Sequence, residues 1–331
     1  MKSEFSDKTV LVTGAGGFIG SHLVESLIAQ GANVRAFVRY NSRSDIGLLS
    51  NLPGKKLSSV EIIAGDLRDA DAIRMAVKGC NLVFHLGAVI SIPYSYQHPA
   101  EVSEVNFIGT LNILQACLDN HVDRLIHTST SEVYGTAITV PINEMHPLQG
   151  QSPYSASKIG ADKLAESFFC SFDLPLVTVR PFNTYGPGQS NRAVIPAIIT
   201  QALQNKQVNL GNLDAIRDFT FISDTVQGFI CAAGSKGVLG KTFNLGTGVE
   251  IRIGDLAEKI IQLVDKPVTI HLDKNRLRPE KSEVGRLLSD NSLAQQQLNW
   301  IPKVPLDEGL SLTIQWIRDN KRNNSGGKYE I

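Results

Sequence analysis

The chain has 331 residues, of which 42% are hydrophobic and 19% charged, which is typical of a globular protein. Its 32 basic and 32 acidic residues cancel, so charge gives no indication of a nucleic-acid partner. No run approaches the ~18 apolar residues of a membrane span, and no apolar stretch precedes the first strand, so we expect no signal peptide. The four cysteines are far apart, so we expect reduced core thiols in a cytoplasmic protein and no metal site.

Short apolar runs alternate with helical patterns along the first half of the chain, as in βαβ units around a parallel sheet. This rhythm predicts an α/β fold with a Rossmann-type, doubly wound parallel sheet. The predicted strands are Lys8–Thr13, Asn33–Val38, Val60–Ala64, Leu82–Leu86, Arg124–Thr128 and Leu176–Arg180. The predicted helices are one ending near Ala29, Asn106–Asp119 and Tyr154–Phe172.

The pattern loosens after about Pro181, where Gly186-Pro187-Gly188 marks a loop. We predict a Rossmann domain over residues 1–181, to which later segments return. A smaller mixed α/β domain that binds the substrate is expected over 182–318. Residues 319–331 are polar and glycine-bearing, and we expect a disordered tail there.

A glycine-rich turn follows the first strand, with Gly14, Gly17 and Gly20 in a GxxGxxG pattern. Glycines let backbone N–H groups approach a pyrophosphate, and the following helix adds its positive N-terminal end. A tight turn can also require three glycines for steric reasons alone, without any bound ligand. The position between a strand and an amphipathic helix is nevertheless the context that a dinucleotide site requires, so we predict a bound nicotinamide dinucleotide.

The end of the second strand indicates which dinucleotide is bound. An NAD site usually has an acidic residue ~20 residues after the turn, and the stretch from Arg35 to Ser42 has none. Arg39 could instead pair with a 2′-phosphate, although a solvated arginine at a strand end is the competing interpretation. We therefore expect NAD(P), with NADP favoured by Arg39, and we expect Asp66 and Leu67 near the adenine.

Tyr154 and Lys158 lie four residues apart and share one helix face. An ammonium neighbour stabilises a phenolate, so we expect the pKa of Tyr154 to fall below ~10. Such a tyrosine can exchange a proton with an alcohol. A YxxxK pair alone is common on solvated helices. The segment from His127 to Gly135 adds hydroxyls and a carboxylate beyond a strand's carboxyl end, where open α/β sheets bind ligands.

TGAGGFIG, HTSTSEVYG, YSASK and RPFNTYGP, in this order and spacing, resemble the extended short-chain dehydrogenase/reductase family. The resemblance extends to about residue 318, and the family contains nucleotide-sugar epimerases, dehydratases and decarboxylases. STSEVYG followed by SPYSASK is most similar to the nucleotide-sugar 4,6-dehydratases. AVISIPYSY, HPLQGQSPYSASKIGAD, RPFNTYGPGQS and RLRPEKSEV resemble the legionaminic-acid pathway branch, which acts on N-acetylglucosamine attached to a nucleoside diphosphate.

The resemblance implies roles for individual residues. The implied cofactor contacts are Gly14, Gly17, Phe18, Ile19, Gly20, Asp66, Leu67, Leu86, Gly87, Ala88, Asn106, Tyr154, Lys158 and Pro181. Thr130 would hydrogen-bond the sugar 4-hydroxyl, Tyr154 would take its proton and Lys158 would hold the nicotinamide ribose. The implied substrate contacts are Ser95 and Asn183 for sugar and phosphate, Arg217 for the diphosphate, and Arg278 and Glu280 for the nucleoside. Each arginine alone could equally lie on the surface or in an ion pair.

One position departs from the pattern of many 4,6-dehydratases. Ser131 stands where they have an aspartic acid, and the serine–glutamate version resembles GDP-mannose dehydratases, in which Glu132 would handle both proton transfers. The competing interpretation of Glu132 is a capping carboxylate. The implied reaction oxidises the sugar at C4, removes water across C5–C6 and reduces C6, so a tightly bound cofactor is recycled.

Other functions stay open at this point. A C4 epimerase needs the same triad but no base at Glu132, and a 5,6-dehydratase is a closer variant. A dinucleotide-sensing regulator on the same fold is the non-enzymatic alternative. The sequence does not fix the nucleobase.

The family resemblance also implies a homodimer, in which the helices over 106–119 and 154–172 pair into a four-helix bundle. The competing interpretation is that the apolar side chains of these helices pack in the core of their own chain. The candidate interface residues are Leu111, Ile113, Leu114, Leu164, Phe168 and Phe169.

Overall fold

The computed structural model describes residues 3–320. The strands are β1 (Thr9–Thr13), β2 (Asn33–Arg39), β3 (Glu61–Gly65), β4 (Leu82–His85), β5 (Arg124–Thr128), β6 (Leu176–Pro181), β7 (Asn183–Tyr185), β8 (Gln207–Leu210), β9 (Ile216–Phe221), β10 (Thr242–Leu245), β11 (Glu250–Arg252) and β12 (Thr269–Leu272). The helices are α1 (Phe18–Ala29), α2 (Gly54–Leu57), α3 (Ala70–Val77), α4 (Ile92–Gln97), α5 (Pro99–Ser103), α6 (Gly109–Asp119), α7 (Pro153–Phe172), α8 (Val194–Gln204), α9 (Ile222–Gly234), α10 (Ile253–Val264), α11 (Ser292–Leu298) and α12 (Leu306–Asp319).

The central sheet has seven parallel strands in the order β10-β6-β5-β4-β1-β2-β3. The strand order reverses between β1 and β4, so the loops after these strands diverge and leave a crevice at their carboxyl ends. This arrangement confirms the predicted Rossmann-type α/β fold. It also places the glycine turn after β1 and the loop after β4 side by side.

Both faces of the sheet are covered, which is why its strands are nearly continuous apolar runs. Side chains along a strand point alternately to opposite faces. Val10 and Val12 accordingly pack into the cluster formed with α1, α8, α9 and α10, whereas Leu11 packs into the cluster formed with α3, α6 and α7. Each βαβ unit thus contributes to two cores at once.

The six predicted strands are confirmed, with ends that differ by at most one residue. The predicted helix over 106–119 is wrong at its start, because Glu104–Ile108 forms a π-helical turn that joins α5 to α6. Helix α7 begins one residue early because Ser152 and Ser155 form a reciprocal capping box around Pro153.

The second half of the chain adds two small sheets. Strand β9 lies between β11 and β7, and β8 pairs with β12. Strand β10 comes from this half but joins the central sheet beside β6. The division into domains at residue 181 stays a prediction.

Several smaller expectations need correction. All four cysteines are free thiols, but Cys170 is exposed and Cys231 only half-buried, so just Cys80 and Cys117 are core residues. Helix α12 ends at Asp319, which therefore does not belong to the predicted tail, and residues 321–331 of that tail lie outside the described residues. Over residues 3–320, no helix is long and apolar enough to span a membrane.

The candidate dimer face is also smaller than predicted. Ile113, Leu114 and Phe168 are buried in the intrachain core, because their side chains face α3 and the sheet rather than the outside. Leu111, Leu164 and Phe169 are only partly buried. These three are the predicted interface residues that remain accessible on α6 and α7.

Candidate active site

The glycine turn after β1 forms a cradle that a side chain would fill. Gly14 has a φ of +68°, and a Cβ atom there would come within 2.8 Å of the backbone nitrogen of Gly87. Gly17 is the N-cap of α1 and has no side chain with which to cap it. The first-turn N–H groups of α1, including those of Phe18, Ile19 and Gly20, therefore face a backbone-lined space suited to a pyrophosphate. The turn fits the predicted dinucleotide.

The loop after β4 forms the other wall of this cradle. The Gly87 N–H donates to Thr13 Oγ1 at 3.0 Å, and the same hydroxyl contacts His85 Nδ1 at 2.8 Å. His85 is fully buried, and burial holds its pKa well below the usual value, so the ring is neutral. This network fixes Leu86, Gly87 and Ala88 against the turn.

Asn106 lies beneath that loop and binds it from below. Its side-chain oxygen accepts from the Val89 N–H at 2.8 Å, and its nitrogen donates to the Val89 carbonyl and to Ser157 Oγ, both at 3.0 Å. Asn106 is 1% exposed. Its polar groups are bonded within the protein, so it joins the loop to the helix that carries Tyr154.

The edge of the crevice at Asp66 and Leu67, where the adenine is expected, carries more charge pairs than the sequence indicated. Arg68 forms a two-pronged ion pair with Asp66, and this hydrogen bonding lowers the pKa of Asp66 to about 2. Arg39 is 72% exposed and pairs with Glu101 at 3.4 Å. Glu101 in turn accepts a hydrogen bond from the Tyr94 hydroxyl at 2.5 Å. Leu67 packs close to Gly87 and completes this edge.

Thr130, Tyr154 and Lys158 come together between the end of β5 and the start of α7. The Thr130 side chain lies close enough to Tyr154 to act on the pKa of its phenol. Lys158 Nζ donates to the Thr128 carbonyl at 2.7 Å. Both Tyr154 and Lys158 are buried, at 7% and 3% exposed. The structure thus joins the three residues of the predicted triad at one site.

The expectation that Lys158 lowers the pKa of Tyr154 is wrong. Burial raises the pKa of Tyr154, the Thr130 hydrogen bond opposes that effect, and the charges of Glu132 and Asp162 add to it. Burial also lowers the pKa of Lys158 to about 8, although the negative charge of Asp162 acts to raise it. A buried phenol and a buried ammonium are both disfavoured in their charged forms, and burial is the largest cause of both shifts.

Glu132 and Ser131 lie in a 3₁₀ turn immediately after Thr130. The Glu132 N–H donates to Thr130 Oγ1 at 3.2 Å, so the threonine is the cap of this turn and the glutamate side chain is not. The Glu132 side chain is 15% exposed, and its charge acts on Tyr154. Ser131 is buried. The carboxylate therefore belongs to the same site as the triad.

Two arginines form the opposite side of this site. Arg278 Nη1 lies 3.9 Å from Glu132 Oε1 and is buried with no hydrogen-bond partner among residues 3–320. Arg217 is buried, donates to the Ile216 carbonyl and lies 3.7 Å from Glu283. The two guanidinium groups supply the positive charge that a diphosphate requires.

A cavity of about 460 Å³ opens beside these arginines. Arg278, Glu280 and Glu283 line it, together with Leu277 and Thr136. This volume lies in the range of small-molecule pockets. Sequence reasoning did not single out Glu283, although RLRPEKSEV contains it.

The remaining predicted site residues are less directly accessible. Ser95 is fully buried, and its hydroxyl donates to the Ile92 carbonyl at 2.7 Å, which stabilises α4. Asn183 is half-buried in β7 and donates to the Asp218 carbonyl at 3.3 Å. Pro181 ends β6 and pairs in register with Leu245 of β10.

A buried polar network behind the triad was not predicted. Asp162, one helical turn after Lys158, accepts hydrogen bonds from His127, Ser129 and Arg180. Arg180 also donates to the Tyr134 hydroxyl at 2.9 Å. The spacing of four residues between Lys158 and Asp162 was the available signal. Among residues 3–320, no group of three or more His, Cys, Asp or Glu side chains could hold a metal ion.

With this geometry established, comparison with known proteins is informative. The family model described as GDP-mannose 4,6 dehydratase matches residues 11–313. The chain belongs to this family. It is an enzyme of the NAD-dependent nucleotide-sugar dehydratase and epimerase group within the extended short-chain dehydrogenases/reductases.

Individual relatives include both activities. The mouse dTDP-D-glucose 4,6-dehydratase is 30% identical over 325 residues, covering 96% of this chain and 90% of that protein. The solved dTDP-glucose 4,6-dehydratase DesIV from Streptomyces venezuelae, with NAD bound, has a TM-score of 0.83 and 28% identity, covering 95% of this chain and 98% of that one. The UDP-N-acetylglucosamine 4-epimerase from Methanobrevibacter ruminantium M1 has a TM-score of 0.85 and 30% identity, covering 95% of this chain and 99% of that one.

Proposed function

We propose that this enzyme is a nucleotide-sugar 4,6-dehydratase, which converts a nucleoside-diphosphate hexose to its 4-keto-6-deoxy form. The observation that carries the proposal is the position of Glu132, a carboxylate beside Thr130 and Tyr154 that does not cap its own turn. Oxidation at C4 alone needs no such group. Elimination of water across C5–C6 needs a base for the C5 proton.

The triad residues act at the sugar 4-hydroxyl. A bound nicotinamide dinucleotide supplies reversible two-electron oxidation and reduction of the sugar. Thr130 hydrogen-bonds the 4-hydroxyl. Tyr154 accepts its proton as the phenolate, a form that burial opposes and that the positive charge of a bound nicotinamide ring would favour. Lys158 donates to the nicotinamide ribose with donors that its bond to Thr128 leaves free, since an ammonium has three.

Glu132 serves the elimination step. A 4-keto group acidifies the neighbouring C5–H bond, and Glu132 removes that proton. The same carboxyl group then donates a proton to the departing 6-hydroxyl, which leaves as water. A hydride would return from the reduced dinucleotide to C6, and Glu132 would pass a proton taken up from solvent to C5. Ser131 cannot supply this proton at neutral pH because a hydroxyl is too weak an acid, so Glu132 performs both transfers.

Arg217 and Arg278 bind the diphosphate and nucleoside end, and Glu280 lines the adjoining cavity. We propose N-acetylglucosamine as the sugar, as in the legionaminic-acid pathway branch that the sequence resembles. The solved epimerase whose name includes UDP-N-acetylglucosamine supports an N-acetylhexosamine on this fold. Ser95 would reach the sugar only after its hydroxyl turned away from Ile92.

Three further features stay proposals. The preference for NADP rests on the exposed Arg39, while the solved relative with NAD supports NAD as the alternative. A homodimer through α6 and α7 rests on the family resemblance and on the accessible Leu111, Leu164 and Phe169. A cytoplasmic location rests on the free cysteines.

A C4 epimerase is the second candidate function. It is favoured by the solved epimerase with the same fold and by a triad that suits either reaction. In an epimerase Glu132 would not exchange the C5 proton. The position of Glu132 therefore separates the two functions by experiment.

The experiment is to incubate the enzyme with GDP-, UDP-, dTDP- and CDP-linked glucose and N-acetylglucosamine in deuterated water. A dehydratase yields a product that has lost water and carries deuterium at C5, whereas an epimerase yields an isomer of unchanged mass. Glu132→Gln should lower the dehydration rate by about 10²–10⁴ and abolish deuterium uptake at C5. Glu166→Gln, an exposed glutamate of α7, is the control. Normal dehydration by Glu132→Gln would show that another residue is the base.

A further inference from the structure

Asp162 carries a charge that the chemistry described so far does not use. The side chain is buried, at 5% exposed, and lies one helical turn after Lys158 on α7. His127 Nε2 contacts its Oδ1 at 3.0 Å. Ser129 and Arg180 donate to its Oδ2, at 2.7 Å from the Ser129 hydroxyl and 2.9 Å from Arg180 Nη2.

These contacts fix the ionisation of Asp162. Burial alone would raise the pKa of the carboxyl, but the His127 hydrogen bond and the charges of Arg180 and Lys158 lower it to about 2. The side chain is buried and both oxygens accept hydrogen bonds from the protein, so we expect no direct contact with a substrate. Any effect on catalysis must act through its charge.

Apart from the Thr128 carbonyl that accepts from its Nζ, the surroundings of Lys158 oppose an ammonium. The titratable groups that interact with its charge are Asp162 from its own helix, His127 from β5 and His85 from β4. Burial lowers the pKa of His127, with Lys158 adding to this effect, and burial keeps His85 neutral. Because an ionised Asp162 can only accept, His127 donates from Nε2 and stays neutral. Among residues 3–320, Asp162 is therefore the one carboxylate whose charge raises the pKa of Lys158, against burial.

We propose that Asp162 is a positioning residue that keeps Lys158 in its ammonium form within the active site. Arg180, His127 and Ser129 hold the carboxylate in place and ionised. Apolar side chains can often replace a buried ion pair at little cost in stability. A charged Asp162 in this interior therefore indicates a role beyond packing. The proposal rests on the proposed function in one respect, namely that Lys158 works as a cation.

The test follows the titration of Lys158 directly. The full chain, labelled with ¹³C at lysine Cε, is titrated by NMR, and the Lys158 signal is identified by its loss in Lys158→Met. In Asp162→Asn the titration midpoint should fall by about one pH unit or more, because a nearby opposite charge has been removed. The alkaline limb of kcat/KM should move to lower pH by the same amount.

Two further variants separate this effect from a structural one. Ser129→Ala removes one hydrogen bond but keeps the carboxylate, so the Lys158 midpoint should stay in place even if the unfolding temperature falls. Arg180→Met keeps the charge of Asp162 and removes the cation bound to it, so the midpoint should rise. This opposite shift tests the proposal even where Asp162→Asn does not fold.

A Lys158 midpoint that is the same in wild type, Asp162→Asn and Arg180→Met would overturn the proposal, because Asp162 would then be purely structural. A different result would contradict the proposed function, namely a wild type that dehydrates no nucleotide sugar. In that case the NMR midpoints of Lys158 still decide the role of Asp162.

Discussion

Lys158 Nζ donates a 2.7 Å hydrogen bond to the carbonyl oxygen of Thr128, the last residue of β5. This bond ties the start of α7 to the carboxyl end of the sheet, two residues before Thr130. It brings Tyr154 and Lys158 of α7 close to Thr130, although Thr130 and Tyr154 are 24 positions apart in the sequence. It also leaves two of the three ammonium donors of Lys158 for a ligand.

The pKa of Lys158 predicts how activity depends on pH. Because burial lowers it to about 8, the ammonium form is lost as pH rises through about 8, so kcat/KM should fall above that pH. Lys158→Arg is the matched variant, because arginine stays protonated throughout this range. Its residual activity should show no decline near pH 8. The same decline in Lys158→Arg would assign it to another group.

Gly14→Ala should weaken dinucleotide binding. The φ of +68° and the 2.8 Å approach of a Cβ to the Gly87 nitrogen strain an alanine there by about 1–3 kcal/mol, or roughly tenfold or more in Kd. Calorimetry with NAD and NADP measures the change. Gly54→Ala makes the same substitution where no atom lies within 4 Å of the new Cβ, and it should bind normally.

Arg39 predicts the choice of cofactor. If its guanidinium receives a 2′-phosphate, the wild type should bind NADP more tightly than NAD, and Arg39→Ala should reduce that difference. Glu101→Gln removes the carboxylate paired with Arg39, so it should strengthen NADP binding. Equal affinities of the wild type for both dinucleotides in calorimetry would contradict the prediction.

Arg278→Gln should weaken the binding of nucleoside diphosphates. Its buried Nη1 has no hydrogen-bond partner in the described part of the chain and faces the active site, so a phosphate or nucleoside oxygen is the expected acceptor. Loss of a charged hydrogen bond costs about 1.5–3 kcal/mol, or tenfold and more in Kd. Arg276→Gln, two residues away and paired with Asp273, is the control. Similar affinities for both variants would exclude Arg278 from the substrate site.

The predicted homodimer can be tested on the surface of the helices. Ile108 ends the π-helical turn before α6, is 40% exposed and lies three residues before the candidate interface residue Leu111, so the two share a helix face. Ile108→Glu should therefore dissociate the dimer without unfolding the chain. Met75→Glu places the same charge on an exposed apolar position of α3 and should leave the dimer intact. Light scattering measures the mass. A wild-type mass of 36.0 kDa at micromolar concentration would reject the dimer.

Much of the site was predictable because it depends on local patterns. The glycines of the turn, the four-residue spacing of Tyr154 and Lys158, and the run after β5 each follow from short segments whose secondary structure the sequence determines. The carboxyl ends of parallel strands meet at one edge, so these segments had to converge there. The fold class and the glycine cradle follow from that rule.

What the sequence could not determine depends on contacts between distant segments. Burial raised the pKa of Tyr154 against the expected effect of Lys158, since desolvation is a property of the packed interior. Leu111 and Ile113 look alike in sequence, yet only Ile113 faces the core. The bond between Asp162 and Arg180 joins α7 to β6 across the interior, and no local pattern fixes that pairing. The sequence alone predicted which residues are candidates for the chemistry, and only the tertiary structure decided which of them are buried, charged or paired.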